Sequence, residues 1–172
     1  SESGYSAWYL FTVEYREGTG DARLKFDARA GGSKMAYVGE YYDRKVENPL
    51  THGHDWGAAT HVRLDDTIDF NWGYGSPFPG FPVDDFGVRW TKTIWLDAGQ
   101  YKFTCTMDDG ALVWLDGYNN PENLLISDWD AVQERTRDKT ITTTYGGWHV
   151  LVMEYVEYSR HAVAKLRYEK VG

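Results

Sequence analysis

The sequence lacks most of the features that assign a chain to a special class. It contains one cysteine and five prolines among 172 residues, so an internal disulfide framework is excluded. The single thiol, Cys105, lies in an alternating segment that predicts a small buried hydrophobic side chain. No apolar run reaches the length of a membrane span, and we therefore expect no membrane insertion. No signal peptide is visible, which fits a mature or trimmed chain or a cytosolic one.

Positive charge is also scarce. The formal net charge is −8, and the sequence contains no basic run, which argues against a nucleic-acid partner. An acidic surface suits solubility, cation binding or a neutral partner such as a glycan, and it disfavours anionic membranes.

Recognisable catalytic and zinc motifs are missing as well. The sequence has no Ser–His–Asp arrangement, no glycine-rich phosphate loop and no Cys–His pair. His52, His54 and His61 share one segment without a known zinc spacing, so we expect ordinary histidines of a solvated loop. Adjacent carboxylates such as Asp108 and Asp109 lie too close together to flank a glycosidic bond. We therefore predict a protein without enzyme activity.

Alternation of apolar and polar residues is abundant, whereas helical periodicity is nearly absent. Turns rich in Gly, Asn and Asp separate the alternating segments, and we expect a tight hairpin at 97–100 and another connection of neighbouring strands at 108–110. This pattern predicts an all-β, antiparallel sandwich or barrel. The clearest predicted strands are residues 88–96, 101–107, 111–115, 148–155 and 162–168.

An internal repeat links the two ends of the chain. Residues 7–15 resemble residues 147–155 at one offset of 140 residues (148 − 8), so that a Trp, a Glu and a Tyr recur. A second strand, 22–26, resembles 164–168 after a two-residue gap. Residues 1–33 are therefore predicted to form an N-terminal β-hairpin copied from the terminal hairpin of a preceding repeat, and residues 34–172 to form the main domain.

A lone two-stranded hairpin is marginally stable and has exposed edges. We expect this one to dock on its own domain, on a neighbouring chain, or within a longer tandem array. Strand addition between copies of the chain is head-to-tail and can continue into a filament. The predicted assembly residues are Trp8, Leu10, Val13, Tyr15, Leu24 and Phe26.

From Tyr37 onward, a series of motifs resembles the PA14 domain family. The motifs are VGEYYD at 38–43, FGVRWTKT at 86–93, AGQYKF at 98–103, DDGALVWLDG at 108–117 and ISDW at 126–129. A hairpin spanning 148–168 closes the series. The resemblance implies an antiparallel β-sandwich without catalysis, of the kind found in adhesins, toxins and accessory modules of glycoside hydrolases. It also implies a secreted or cell-surface location.

The resemblance also implies a cofactor. In lectin-like members, two successive aspartates joined by a cis peptide bond bind Ca²⁺, which bridges to sugar hydroxyls, and Asp108 and Asp109 match this pair. Ca²⁺ takes about six to eight oxygens, so the following loop would supply more ligands. The available side chains are those of Asn119, Asn120, Asp128 and Asp130. The alternative is an ordinary turn, with Asp capping the bend and Gly110 at positive φ.

Three tryptophans could stack on a sugar, since an aromatic face suits the apolar face of a pyranose. They are Trp129, Trp114 and Trp56, and with Asp109 the first two form the predicted carbohydrate site. Core packing is the alternative for Trp114, which lies on a predicted strand.

Other segments have structural interpretations. Asp84–Asp85 is expected to pair with Arg89 or with a turn amide, and Asp65–Asp66 to lie in an exposed turn. The aromatic residues of loop 73–82 either form a contact surface or pack back onto the sandwich.

Two functions follow from these patterns. The first is a structural or adhesive surface protein that assembles head-to-tail through its N-terminal hairpin, and the repeat favours it. The second is a Ca²⁺-dependent carbohydrate-binding module of a larger adhesin or glycosidase, and the acidic turn favours it. The two are compatible, because a surface filament can also bind glycans.

Overall fold

A computed structural model describes residues 35–43, 57–129 and 133–172. Within these ranges the chain forms ten β-strands and a short 3-10 helix at Pro121–Asn123. The strands are β1 Tyr37–Asp43, β2 His61–Asp65, β3 Ile68–Gly73, β4 Phe86–Leu96, β5 Gly99–Asp108, β6 Gly110–Leu115, β7 Leu124–Asp128, β8 Arg135–Thr143, β9 Gly147–Glu157 and β10 Ala162–Lys170.

The strands form two antiparallel sheets. The first has six strands in the order β2-β1-β4-β9-β6-β7, and the second has four in the order β3-β10-β5-β8. The sheets enclose one large apolar core, as sheets with one hydrophobic face must. The prediction of an all-β antiparallel sandwich is confirmed.

Alternation within a strand decides which side chains enter this core. In β5, Tyr101, Phe103, Cys105 and Met107 are buried, while the residues between them are partly exposed. Burial raises the pKa of the Cys105 thiol. The prediction that Cys105 is a small buried hydrophobic side chain is confirmed.

Loop 73–82 packs back onto the sandwich through two of its rings. Phe78 and Phe81 contact Tyr41, with ring centroids 5.6 and 6.2 Å away, and Phe81 is buried. Tyr74 is the exception, at 78% exposed. The packing alternative therefore holds for the two phenylalanines.

Asp65 corrects one prediction. The residue ends β2, where alternation turns its side chain inward, and it is 7% exposed. Its Oδ2 accepts hydrogen bonds from Tyr41 Oη at 2.7 Å and Trp90 Nε1 at 2.8 Å, and its Oδ1 accepts one from Arg63 Nε at 2.7 Å. The prediction of an exposed turn was therefore wrong for Asp65, although Asp66 is exposed.

The predicted hairpin at 97–100 was also wrong, and the strands that 108–110 connects, as predicted, are not paired with each other. Strands β4 and β6 belong to the six-stranded sheet, whereas β5 lies in the four-stranded sheet. Each connection therefore crosses from one sheet to the other. Alternation along a strand identifies its buried face, but it does not identify the strand that pairs with it.

The predicted hairpin spanning 148–168 was also wrong. Strand β9 pairs with β4 and β6, while β10 pairs with β3 and β5, so residues 148–168 are not a hairpin.

The predicted N-terminal copy lies outside the described residues, together with its assembly residues Trp8, Leu10, Val13, Tyr15, Leu24 and Phe26. The described ranges contain no helix with the length and apolar character of a membrane span.

Candidate functional site at the acidic turn

The acidic turn is the point where the chain passes from β5 to β6, at Asp108 and Asp109. A second crossing between the sheets, from β9 to β10, lies beside it. The carboxylate Oδ2 of Asp109 joins the two, since it accepts from the backbone N–H of Tyr158 at 2.7 Å and of Ser159 at 3.3 Å. The turn is thus held at one end of the sandwich by main-chain donors of the neighbouring connection.

The residue after the aspartates must be a glycine for reasons of space. A Cβ on Gly110 would lie 2.1 Å from the carbonyl oxygen of Trp129, which no side chain could tolerate. Gly110 is not among the positive-φ residues of the described chain, so the expectation that it supplies a positive φ was wrong. The Asp108–Asp109 peptide bond is cis, as in the members that the sequence resembles.

Both aspartates are nearly buried, at 8% and 6% exposure. Burial raises the pKa of Asp108, and the nearby His161 opposes that shift. Burial also raises the pKa of Asp109. There the amides of Tyr158 and Ser159 oppose the shift, and the charges of Asp108 and Asp84 add to it. The turn therefore concentrates negative charge in a poorly solvated place, where a cation would be favourable.

Sequence reasoning missed two residues behind this turn. Glu157 is fully buried, and its Oε2 lies 3.0 Å from the hydroxyl of Tyr155. That hydroxyl also donates to the carbonyl oxygen of Asp108. A signal was available, because Tyr15 and Glu17 precede Tyr155 and Glu157 by the same 140 residues as the rest of the repeat.

The predicted loop ligands do not all reach the turn. Asn119 and Asn120 follow β6, whereas the aspartates precede it, and six strand residues place about 17 Å between its ends. Asn120 Oδ1 instead caps the 3-10 helix by accepting from Glu122 N at 3.1 Å.

Asp128 lies nearer to the turn, because it is the register partner of Ala111. Its carboxylate is within 2.7 Å of Arg137 Nη2 and 3.9 Å of Arg135 Nη2, so it already forms ion pairs. Asp130 lies outside the described residues. In the part of the chain that is described, no group of three or more His, Cys, Asp or Glu side chains is placed to hold a metal ion.

The predicted stacking residues are buried rather than presented to solvent. Trp114 is 3% and Trp129 8% exposed, and both belong to an apolar cluster with Leu112 and Val156. This cluster lies on the face of the six-stranded sheet that points away from the main core. Neither ring offers an open face for a pyranose in this conformation, and Trp56 lies outside the described residues.

The structure also places the other polar residues considered in the sequence, namely Asp84, Arg89 and His61. Asp84 Oδ1 accepts from the backbone N–H of Arg160 at 3.1 Å, which is the predicted pairing with a turn amide. Arg89 pairs with Glu154 instead, at 2.7 Å. The ring of His61 packs 4.5 Å from Phe78, while His52 and His54 lie outside the described residues.

Fold and site together define the class of protein. It is an all-β sandwich domain in which a buried acidic turn passes between two sheets. The chain belongs to the PA14 domain family, whose profile matches residues 33–170.

Three relatives illustrate the comparison. Anti-sigma-I factor RsgI3 of Acetivibrio thermocellus is 32% identical over 136 residues, which cover 78% of this chain and 19% of that protein. A solved anti-sigma factor domain-containing protein from Clostridium clariflavum is 30% identical with a TM-score of 0.65, and covers 88% of this chain and 48% of its own. The chain therefore spans about a fifth of the first protein and about half of the second.

The third relative is a PA14 sugar-binding domain from an RTX adhesin, with a TM-score of 0.59 and 17% identity. The match covers 80% of this chain and 91% of that domain. At this identity the likeness shows the fold alone.

Proposed function

We propose that this domain is a carbohydrate-binding module without catalysis, part of a larger extracellular or cell-surface protein. Asp108 and Asp109 would hold a Ca²⁺ ion, which would supply coordination for sugar hydroxyls. The observation that carries this proposal is the acidic turn. Two adjacent carboxylates are anchored at one end of the sandwich, and Asp109 is fixed by two backbone amides.

Asp108 and Asp109 fit part of the ligand set of a calcium site. Ca²⁺ prefers carboxylate and carbonyl oxygens, and a divalent cation would offset the repulsion between Asp108 and Asp109. One oxygen of Asp109 accepts from two amides, and the Asp108 carboxylate accepts from the backbone N–H of Glu134. The remaining lone pairs of the two carboxylates would be the ligands. The remaining oxygens would come from backbone carbonyls, water or the sugar.

The relatives support a modular setting. An RTX adhesin domain of the same fold is described as sugar-binding, and the anti-sigma relatives are longer proteins. The repeat between 7–15 and 147–155 agrees with a protein that carries more than one such domain. Head-to-tail assembly through residues 1–33 remains a prediction, compatible with glycan binding.

The test is a calcium titration followed by a glycan array. Calorimetry should detect Ca²⁺ binding with a Kd in the range of about 10⁻⁴ to 10⁻³ M that is typical of extracellular modules, and Ca²⁺ should raise the Tm. Asp109→Asn keeps an acceptor for the two amides but removes the charge, so binding should weaken at least tenfold. Glycans bound in Ca²⁺ should be released by a chelator.

Asp138→Asn is the matched control. Asp138 is a half-exposed carboxylate 3.5 Å from Lys102, so its loss changes the net charge equally without touching the turn. A wild-type domain that ignores millimolar Ca²⁺, or an Asp109→Asn variant that binds normally, would remove the calcium proposal.

A further inference from the structure

Tyr74 lies at the same end of the sandwich as the acidic turn. Gly73, the last residue of β3, pairs with Ala162 at the start of β10. The next residue of β10, Val163, pairs with Asp108 at the end of β5. Since the sheet order is β3-β10-β5, the ends of β3 and β5 are two strand spacings apart, about 10 Å. The residues that follow these strands therefore leave the four-stranded sheet side by side.

His161 connects Tyr74 to the turn. The rings of Tyr74 and His161 meet edge to face, with centroids 5.5 Å apart and an interplanar angle of 87°. His161 is also close enough to Asp108 for its charge to oppose the raised pKa of that carboxyl. The side-chain contacts thus agree with the strand register, and both place Tyr74 beside the acidic turn.

Tyr74 and the two aspartates differ sharply in exposure. Tyr74 is 78% exposed, whereas Asp108 and Asp109 are 8% and 6% exposed. The carboxylates are sunk into the end of the sandwich, and the aromatic ring stands clear of it. An open ring face beside buried polar groups suits an amphipathic ligand. A pyranose is such a ligand, because its C–H groups form an apolar face and its hydroxyls are polar.

The backbone holds Tyr74 at the tip of a short turn. The N–H of Gly75 donates to the carbonyl oxygen of Trp72 at 2.9 Å, and the N–H of Gly73 donates to Asn71 Oδ1 at 3.2 Å. Gly73 has a φ of 60°, a conformation that favours glycine. A ring whose main chain is already fixed loses less conformational freedom when it binds a ligand.

We propose that Tyr74 stacks on a pyranose ring of the glycan at the acidic turn, and that this ligand is a neutral glycan of at least two units. One unit supplies hydroxyls at Asp108 and Asp109. The next unit lies with its apolar face on Tyr74, because the spacing of about 10 Å between β3 and β5 is longer than one pyranose. The inference rests on the proposed function, since the turn is the proposed Ca²⁺ site.

The charge of the site decides the class of glycan. Asp84 lies close enough to add its negative charge to those of Asp108 and Asp109, and the whole chain has a formal net charge of −8. Acidic sugars are repelled by such a surface. Tyr74 takes the stacking role for which the sequence suggested Trp114 and Trp129, both of which are buried.

The test is a titration of the protein on a printed array of neutral and acidic mono- and disaccharides in the presence of Ca²⁺. Tyr74→Ala removes the ring from an exposed position, so the Tm and the Kd for Ca²⁺ should match those of the wild type. Its affinity for the neutral disaccharides that the wild type retains should fall about tenfold or more, as for a tyrosine that anchors an interface. Monosaccharide binding should change less than about threefold, because one unit reaches the turn only.

Two variants serve as controls. Tyr74→Phe keeps the ring and should stay within about threefold of the wild type for disaccharides. Tyr145→Ala removes a tyrosine that is 82% exposed and should leave glycan binding unchanged. Tyr145 follows β8 at the opposite end of the sandwich, where Thr143 pairs with Gly99 at the start of β5.

Calcium binding separates this inference from the proposed function. If Ca²⁺ and disaccharides bind and Tyr74→Ala retains full disaccharide affinity, the inference alone is refuted. Equal losses in Tyr74→Ala and Tyr145→Ala, or a preference for acidic glycans, would also refute it. A wild type that binds no Ca²⁺ but loses disaccharides in Tyr74→Ala would refute the calcium proposal and support the stacking. A wild type that retains no glycan would refute both.

Discussion

Two glutamates of β9, Glu154 and Glu157, are both fully buried, yet their partners differ. Glu154 faces away from the main core, where Arg89 Nη2 and Nε lie at 2.7 and 2.9 Å and Tyr118 Oη at 2.5 Å. Burial raises the pKa of Glu154, and Tyr118 and Arg89 oppose that shift. Glu157 has Tyr155 as its partner and further carboxylates nearby. The chemical state of a buried acid is thus set by its neighbours rather than by burial alone.

Removing the guanidinium beside Glu154 should destabilise the fold more than any other change considered for these two glutamates. Arg89→Met leaves a buried carboxylate without its guanidinium, so the free energy of unfolding should fall by about 3 to 5 kcal/mol. Urea denaturation near neutral pH measures it. The double variant Arg89→Met/Glu154→Met removes both charges and should recover most of the loss. A single variant within about 1 kcal/mol of wild type would show that Glu154 does not depend on Arg89.

The pH dependence of stability tests the other glutamate. Glu157 has a folded-state pKa of about 8 against an ordinary value of 4.5, so between these values the folded protein holds a proton that the unfolded chain releases. Stability should therefore be greatest at the acidic end of the window and fall as the pH rises through it. The slope is at most about 1.4 kcal/mol per pH unit, which amounts to roughly 3 kcal/mol between about pH 5 and about pH 8.

Glu157→Gln is the control for that measurement, because an amide fills the same space and does not titrate. Urea denaturation across the window should give a flatter profile for Glu157→Gln than for the wild type. Asp108 and Asp109 also have raised pKa values, so part of the dependence at the acidic end should survive. Identical profiles for the two proteins would show that Glu157 is ionised in the fold.

The hydroxyl of Tyr118, which donates to Glu154, should contribute less to stability than Arg89. Tyr118→Phe removes a hydrogen bond to a buried carboxylate from a residue that is 38% exposed. The cost should be about 1 kcal/mol, measured as a shift in the urea midpoint. Tyr145→Phe is the matched control, since Tyr145 is 82% exposed, and it should change stability by no more than a few tenths. Equal effects of the two variants would deny Tyr118 a role in holding Glu154.

Prediction from sequence succeeded where the pattern is local. Residues 101–107 alternate and became β5, with one buried face. The apolar run 148–155 became part of β9, which is buried on both faces from Leu151 to Glu157. Prediction from sequence failed where the interacting residue is distant along the chain. Residues 97–100 have the composition of a hairpin, but they connect two sheets. The pair Asp65–Asp66 has the composition of an exposed turn, but the Asp65 side chain is buried and accepts hydrogen bonds from Tyr41 and Trp90.

Prediction of the candidate site also succeeded for a local motif and failed for residues placed by the fold. The Asp108–Asp109 pair was found from its motif, whereas Asn119 and Asn120 were placed beside it only because they are near in sequence. Strand β6 carries them to the opposite end of the sandwich. Glu157 was overlooked because nothing in a local pattern distinguishes a buried acid from an exposed one.

The amino-acid sequence was enough to predict most of the strands, the acidic motif and the membership of the PA14 family, since each depends on residues a few positions apart. Which strands lie in the same sheet, and which buried acid pairs with an arginine, emerges only in the folded chain. Those outcomes depend on contacts between residues such as Arg89 and Glu154, 65 positions apart. Strand pairing and desolvation are properties of the packed sandwich, and they act on side chains that the sequence does not mark as neighbours.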